Sequence, residues 1–204
     1  SLYREKRPHN PNTHWIPFGV EAAFFDEVEP ASELESITKP RIGFFGAIDH
    51  RLDLELMQGL AQAHRDWSFV LVGAARCDIS ILLAEENIHF LGSKAHRELP
   101  RYLSGLDILY LPYVVDDFTL HVHPAKMYEC LASGKPVVAT ALPAMEKFSE
   151  VVRLASGLDE FERALQDAVA EDRPDLQQQR VELARSNSWE VRYQEIREFV
   201  EELE

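Results

Sequence analysis

The stretch from His121 to Thr140, HVHPAKMYECLASGKPVVAT, gathers more chemistry-bearing side chains than any other part of the chain. Lys126 and Glu129 lie three apart, a spacing that puts both on one face of a helix. Pro124 has the fixed φ that suits a first helical position, so a helix is expected from about Pro124 to Ser133, stopping at Gly134. The free N–H groups and dipole at such a helix start favour an anion, and Lys126 would add a point charge beside a phosphate. Glu129, an acceptor when ionised, suits the paired hydroxyls of a ribose. On spacing alone, a solvated Lys–Glu pair on an exposed face is an equally open reading. His121 and His123, with Asp116 and Asp117 just before them, are of types that can hold a metal. Two His and two Asp in a polar loop are more often solvated or in contact with a substrate, and no metal is expected.

Such residues act only if a frame brings them together. After Pro40 the chain alternates short apolar runs with helical spacing. The runs are Arg41 to Gly46, Ser68 to Gly73, Ile88 to Gly92, Asp107 to Pro112, Pro136 to Thr140 and a shorter one from Val151 to Leu154. Helical spacing covers about Leu52 to His64, His96 to Ser104, and two or three helices from Asp159 to the end. Strands that are apolar throughout indicate a parallel sheet covered on both faces, an α/β fold of Rossmann-like type with about six strands. Right-handed crossovers place every strand's C-terminal end on one edge, where ligands of such sheets bind. That edge collects the loops from Gly46 to Leu52, Gly73 to Asp78, Gly92 to His96, Pro112 to Pro124, and Thr140 to Glu146. Three strands end in glycine, at Gly46, Gly73 and Gly92, where a missing Cβ lets a ligand approach the backbone. The first turn lacks the Gly-x-Gly-x-x-Gly spacing of dinucleotide sites, and no Walker-type Gly-Lys-Ser/Thr occurs.

The length of 204 residues suits one α/β domain with a substantial core. A formal charge of −14 repels nucleic acid and anionic lipid, while leaving room for one anionic ligand where local cations converge. No apolar run approaches the roughly 20 residues that span a bilayer. With neither an apolar leader nor a starting methionine, the chain is expected to be a piece of a longer cytoplasmic protein, associated at most peripherally with the inner membrane face. Cys77 and Cys130 have no disulfide-framework or metal spacing and are expected as reduced thiols. Residues 1–40 are proline-rich and read as an irregular lead-in, with one short extended piece near Thr13 to Ile16.

The pattern Pro-x-Lys-x-x-Glu-x-x-Ala-x-Gly-x-Pro-Val-Val-Ala-Thr, carried by residues 124–140, resembles the signature of family 4 (group 1) glycosyltransferases of the GT-B fold. The segment from Thr13 to Phe25 resembles that family's interdomain segment, Phe44 to Ile48 its first sugar-donor-domain strand and phosphate loop, and Ser188-Trp189-Glu190 the start of its C-terminal helix. The resemblance implies a lead-in over 1–40, a nucleotide-sugar-binding domain over 41–187, and a last helix over 188–204 that packs toward an N-terminal half. It implies that Glu129 binds ribose, that Gly46 lets the loop approach the diphosphate, and that Gly92 and Ser93 lie near the base. Two departures stand out. Family members often carry a further glutamate where this chain has His121, and basic residues where it has Ala47 and Leu52. Arg51 and Lys126 are then expected to supply the charge on the diphosphate, and Asp117 or Thr119 to take over sugar contacts. This is similar to a subset of cell-surface polysaccharide and teichuronic-acid-type transferases.

The expected function is retaining transfer from a nucleoside-diphosphate sugar, without cofactor or metal, to a glycan or lipid-linked acceptor. The acceptor and any base would come from the N-terminal half, so this chain alone is expected to bind nucleotide and transfer little. A non-catalytic scaffold module of polysaccharide assembly and a GT-B sugar-nucleotide epimerase or phosphorylase are the alternatives.

Overall fold

All six apolar runs form strands: β1 (Arg41–Phe45), β2 (Ser68–Val72), β3 (Ile88–Gly92), β4 (Ile108–Leu111), β5 (Val137–Thr140) and β6 (Arg153–Ala155). The computed structural model describes residues 2–201 apart from 27, 124 and 172. Every strand pairing is parallel, in the order β3-β2-β1-β4-β5-β6. Strands β2, β4 and β5 are buried along their whole length, and β1 from Ile42 on. Burial on both faces is why these segments read as unbroken apolar runs and show no alternation. The sixth run is shifted: Val151 and Val152 both donate backbone N–H to the Phe148 carbonyl (3.0 and 2.9 Å), so they belong to a turn and β6 starts at Arg153.

The helices are α1 (Leu2–Lys6), α2 (Leu54–Ala63), α3 (Ser80–Leu83), α4 (Leu99–Ser104), α5 (Lys126–Ala132), α6 (Gly157–Val169), α7 (Pro174–Arg185) and α8 (Trp189–Glu201). Helix α2 begins two residues later than Leu52, because the Asp53 carboxylate caps it by accepting from Leu56 N (2.9 Å). Helix α5 begins at Lys126, after Ala125 in helical conformation. The expected role of Pro124 at the helix start falls outside the described residues. Thr13 to Ile16 forms no strand.

Strands β1 to β3 step outward in one direction, and β4 to β6 in the other. The order reverses between β1 and β4, which leaves a crevice beyond their C-terminal ends. The lead-in is tied to α8 over this edge: Val20 N bonds the Asn187 carbonyl (3.1 Å), Trp189 N bonds the Val20 carbonyl (3.3 Å), and the buried Arg192 donates from Nε to the Phe18 carbonyl (3.4 Å). No described helix is long and apolar enough to cross a membrane.

Candidate functional site

The loop after β1 is held in backbone contact with the loop after β2. Gly46 turns with φ +103°, open to glycine and strained for other residues, and its N–H bonds the Val72 carbonyl (2.7 Å). A Cβ on Gly73 would stand 1.9 Å from the Gly46 carbonyl oxygen, so the two glycines permit this crossing. Further along, Ile48 N bonds Ala74 O (2.9 Å) and Arg76 N bonds Ile48 O (2.8 Å). On the other flank Asp53 N bonds Pro112 O and Val114 N bonds Arg51 O, both at 2.9 Å. Arg51 therefore stands on a loop braced from both sides. Its guanidinium forms a bidentate pair with the nearly buried Asp49 (2.8 and 2.5 Å), which also accepts from Arg51 N (3.1 Å). Those bonds, against the opposing effect of burial, bring the Asp49 carboxyl down to about 2.

The crevice between the β1 and β4 loops holds a pocket of about 370 Å³. Arg51, Tyr113, Thr119, His123, Lys126 and Leu142 form much of its wall, with Phe18 of the lead-in over it. The Lys126 chain fills the space that a side chain at residue 46 would need, since a Cβ on Gly46 would lie 2.2 Å from Lys126 Cε. Lys126 Nζ stands 5.7 Å from the Phe44 ring centroid and has no carboxylate within ion-pair distance among the described residues. Burial, then the nearby Arg51 charge, pushes its ammonium below the usual lysine range. A desolvated cation without a counter-charge is a seat for an anion.

A second chamber of about 190 Å³ adjoins the first, sharing Phe18 and Ala125. Glu129, His96, Phe24 and Trp189 line it. Glu129 Oε1 lies 2.9 Å from His96 Nε2, and the His96 ring is 6.3 Å from that of Phe24. Lys126 and Glu129 thus serve two adjoining chambers, and the neighbour of Glu129 is a histidine on the turn before α4. Helix α5 has only seven residues, so Lys126 contributes more to an anion site here than the helix dipole does.

The remaining predicted residues are scattered around this cleft. Thr119 is buried at the pocket wall, but its hydroxyl donates to Val114 O (2.7 Å) and accepts from Asp116 N (2.9 Å), while its N–H bonds Asp116 Oδ1 (2.7 Å). His121 is exposed, with Nδ1 2.7 Å from the Asp117 carbonyl, and the Asp117 side chain is exposed. Gly92 turns with φ +71° and open space where a Cβ would be; Ser93 is exposed, and neither lines a chamber. Leu52 is in the core. His121 and His123 have different partners, and among the described residues no three His, Cys, Asp or Glu gather as a metal would need. Both cysteines are free, Cys130 fully buried.

Sequence reasoning missed Asp49, His96 and Phe18. The Asp49–Arg51 spacing was a signal for a local carboxylate–guanidinium pair. His96 and Phe18 come from segments remote in sequence, and nothing in their local pattern announced them.

The sequence model of the family described as glycosyl transferases group 1 matches residues 39–171. The protein TuaH of Bacillus subtilis (strain 168), named for teichuronic acid biosynthesis as a glycosyltransferase, is 34% identical over 145 residues, covering 67% of this chain and 36% of that protein. The 2-deoxystreptamine glucosyltransferase of Streptomyces kanamyceticus is 31% identical over 110 residues, covering 49% of this chain and 27% of that protein. Among solved structures, sucrose-phosphate synthase of Thermosynechococcus elongatus superposes with a TM-score of 0.72 at 17% identity, over all of this chain and 57% of that one. Anabaena HepE, solved with UDP and glucose, gives 0.68 at 17% identity over 91% of this chain and 56% of that one. At these identities the structures speak for the fold alone. The chain spans about a third of the curated relatives' length.

Proposed function

Because the chain belongs to the group 1 glycosyl transferases, we propose that its two-chambered cleft binds a nucleoside-diphosphate sugar for retaining transfer to a glycan or lipid-linked acceptor. The observation that carries this is the division of labour along α5: Lys126, a half-buried cation without a carboxylate partner, in one chamber, and Glu129 in the next. Glu129 would accept from the ribose hydroxyls, displacing or sharing its contact with His96. Lys126 would pair with the diphosphate. When the anomeric carbon–oxygen bond breaks, negative charge grows on the leaving phosphate, and a fixed cation in a dry pocket stabilises that charge. UDP in the HepE structure is consistent with such a ligand. Helix α8 exposes Trp189, Tyr193, Ile196 and Val200 at helical spacing, a stripe suited to packing against an N-terminal half that would bring the acceptor.

The test is a thermal-shift titration of the chain with UDP, GDP, ADP, CDP and dTDP, repeated on Glu129→Ala. A ligand at 100 times its dissociation constant stabilises the fold by about 2.7 kcal/mol. One nucleotide should raise the melting temperature, and Glu129→Ala should abolish that rise without lowering the melting temperature of the free protein. The pairing of Arg51 with Asp49, beside uncharged Ala47 and Leu52, favours the scaffold alternative to one degree: it leaves Lys126 as the main free charge. No shift with any of the five nucleotides would mean that binding needs an N-terminal half or has been lost, and the scaffold reading would gain ground.

A further inference from the structure

Glu129 does not face the second chamber as a loose carboxylate. Its Oε1 lies 2.9 Å from His96 Nε2, whereas Oε2 has no hydrogen-bond partner among the described residues. An ionised carboxylate only accepts, so Nε2 carries the proton and His96 donates. Both residues line the 190 Å³ chamber, and neither side chain is buried: that of Glu129 is 22% exposed and that of His96 67%. A histidine so exposed would ordinarily wander, but the turn that bears it is braced. Ala95 N donates to Glu98 Oε2 (3.2 Å) and Glu98 N to Ala95 O (2.8 Å), which closes the turn on itself. One residue earlier, Lys94 Nζ pairs with Glu33 Oε2 (2.7 Å), and the same oxygen accepts from the Tyr102 hydroxyl of α4 (2.8 Å). The lead-in therefore fastens the segment on which His96 stands, and the His96 ring lies tilted beside Phe24 at 6.3 Å.

This contact leaves Glu129 acceptor capacity to spare. Two ribose hydroxyls and one imidazole make three donors for about four lone-pair sites, so a diol can be accepted without expelling the histidine. A glutamate already held in one rotamer also loses less freedom on binding than one that swings. We propose that His96 is a positioning residue of the ribose site: it holds the Glu129 carboxylate in its binding rotamer and stays bonded to it when the ribose diol arrives. The proposal rests on the reading of Glu129 as the ribose acceptor, and it decides between displacement and sharing of the histidine contact in favour of sharing. It makes the ribose site preset within this chain, with the turn after β3 as its second support beside α5.

The experiment is calorimetric titration of this chain with UDP, GDP, ADP and CDP, each beside its 2′,3′-dideoxy form, for the wild type, His96→Phe and His96→Gln. Nitrogen-15 NMR of the ligand-free chain reads the His96 ring in parallel. His96→Phe keeps a ring beside Phe24 and removes the donor. It should weaken the preferred ribonucleoside diphosphate about three- to fivefold, the range of an exposed charged pair, and leave the dideoxy form unchanged. A merely structural histidine would move both forms together. His96→Gln, which keeps an N–H donor, should recover part of the loss. The NMR should show His96 protonated at Nε2, and Glu129→Ala should release the ring to a mixture of tautomers. Three results overturn the role of His96 and leave Glu129 as the ribose acceptor: tighter binding by His96→Phe, an equal loss for ribo and dideoxy forms, or an Nδ1–H tautomer in the wild type. A wild type that binds none of these nucleotides, or binds the dideoxy forms as well as the ribo forms, refutes a ribose site preset in this chain, and the role of His96 with it.

Discussion

At the scale of single residues, the two cations of the pocket are unequal. The sequence assigns both to the diphosphate, Arg51 from beside the expected phosphate loop and Lys126 from the expected helix start on the other side. In the structure Arg51 already has a bidentate carboxylate partner, whereas Lys126 has none among the described residues and is held below its usual pKa by burial. A diphosphate arriving at Arg51 must share it with Asp49; one arriving at Lys126 relieves an unpaired, desolvated charge. Lys126→Met is therefore expected to weaken nucleoside-diphosphate binding by roughly 10- to 100-fold, the range of a charge-assisted hydrogen bond, and Arg51→Met by distinctly less. Titration of both variants with the nucleotide that stabilises the wild type checks the ranking. A larger loss for Arg51→Met would mean that Asp49 releases Arg51 on binding, so that the free-state pairing misleads. The pKa direction also sets a pH trend: the folded-state shift of Lys126 opposes its protonation, and a bound diphosphate reverses it, so nucleotide binding should draw a proton toward Lys126 as the solution becomes alkaline.

At the scale of elements, the residues that fasten α6 and α7 to the sheet decide whether the cleft keeps its shape. Arg180, fully buried, donates to the Val151 carbonyl (2.9 Å), the Gly134 carbonyl (3.3 Å) and Glu171 (2.8 Å), and Arg153 meets the same carboxylate. Gly134 ends α5, so this network anchors the helix that bears Lys126 and Glu129. Burial pushes the Glu171 carboxyl up, but the two arginines hold it below the usual range on balance. A depressed carboxylate contributes stability that is fully present above the unfolded pKa of about 4.3 and is lost as pH falls through the folded value. Glu171→Gln leaves the guanidinium groups without a counter-charge and should cost about 3–5 kcal/mol, on the order of 10 °C in melting temperature at neutral pH. Melting curves at pH 7 and pH 3 test it: the gap between variant and wild type should shrink in acid, and an unchanged gap would show that the carboxylate's charge is irrelevant. None of this network was legible in the sequence, because Arg153, Glu171 and Arg180 meet only through tertiary packing. The strands were legible for the opposite reason: burial on both faces writes itself into an unbroken apolar run. The four-residue α3 and the five-residue α1 escaped because neither is long enough to display a helical period.

At the scale of the whole molecule, the cleft is roofed by the part of the chain that looked least structured. The proline-rich lead-in carries no periodic pattern, yet Phe18 borders both chambers, and its carbonyl is fixed by Arg192 of α8. Arg192 is itself buried and paired with Glu195 (2.7 and 2.9 Å). The lead-in and α8 therefore meet beside the cleft and place one aromatic ring on the border of both chambers. Phe18 is 48% exposed, so it contributes little to the core of the free protein. Its removal should be felt chiefly when a ligand is beneath it, where the ring excludes water from the Lys126–phosphate contact and strengthens that attraction. Phe18→Ser is expected to shift the melting temperature of the free chain by no more than a degree or two, and to weaken nucleotide binding roughly tenfold. Ligand-free melting and nucleotide titration of the same sample separate the two effects. A variant that melts much lower without ligand would make Phe18 a clasp for the lead-in, whereas one that binds as tightly as the wild type would show that the roof leaves the phosphate contact open to water.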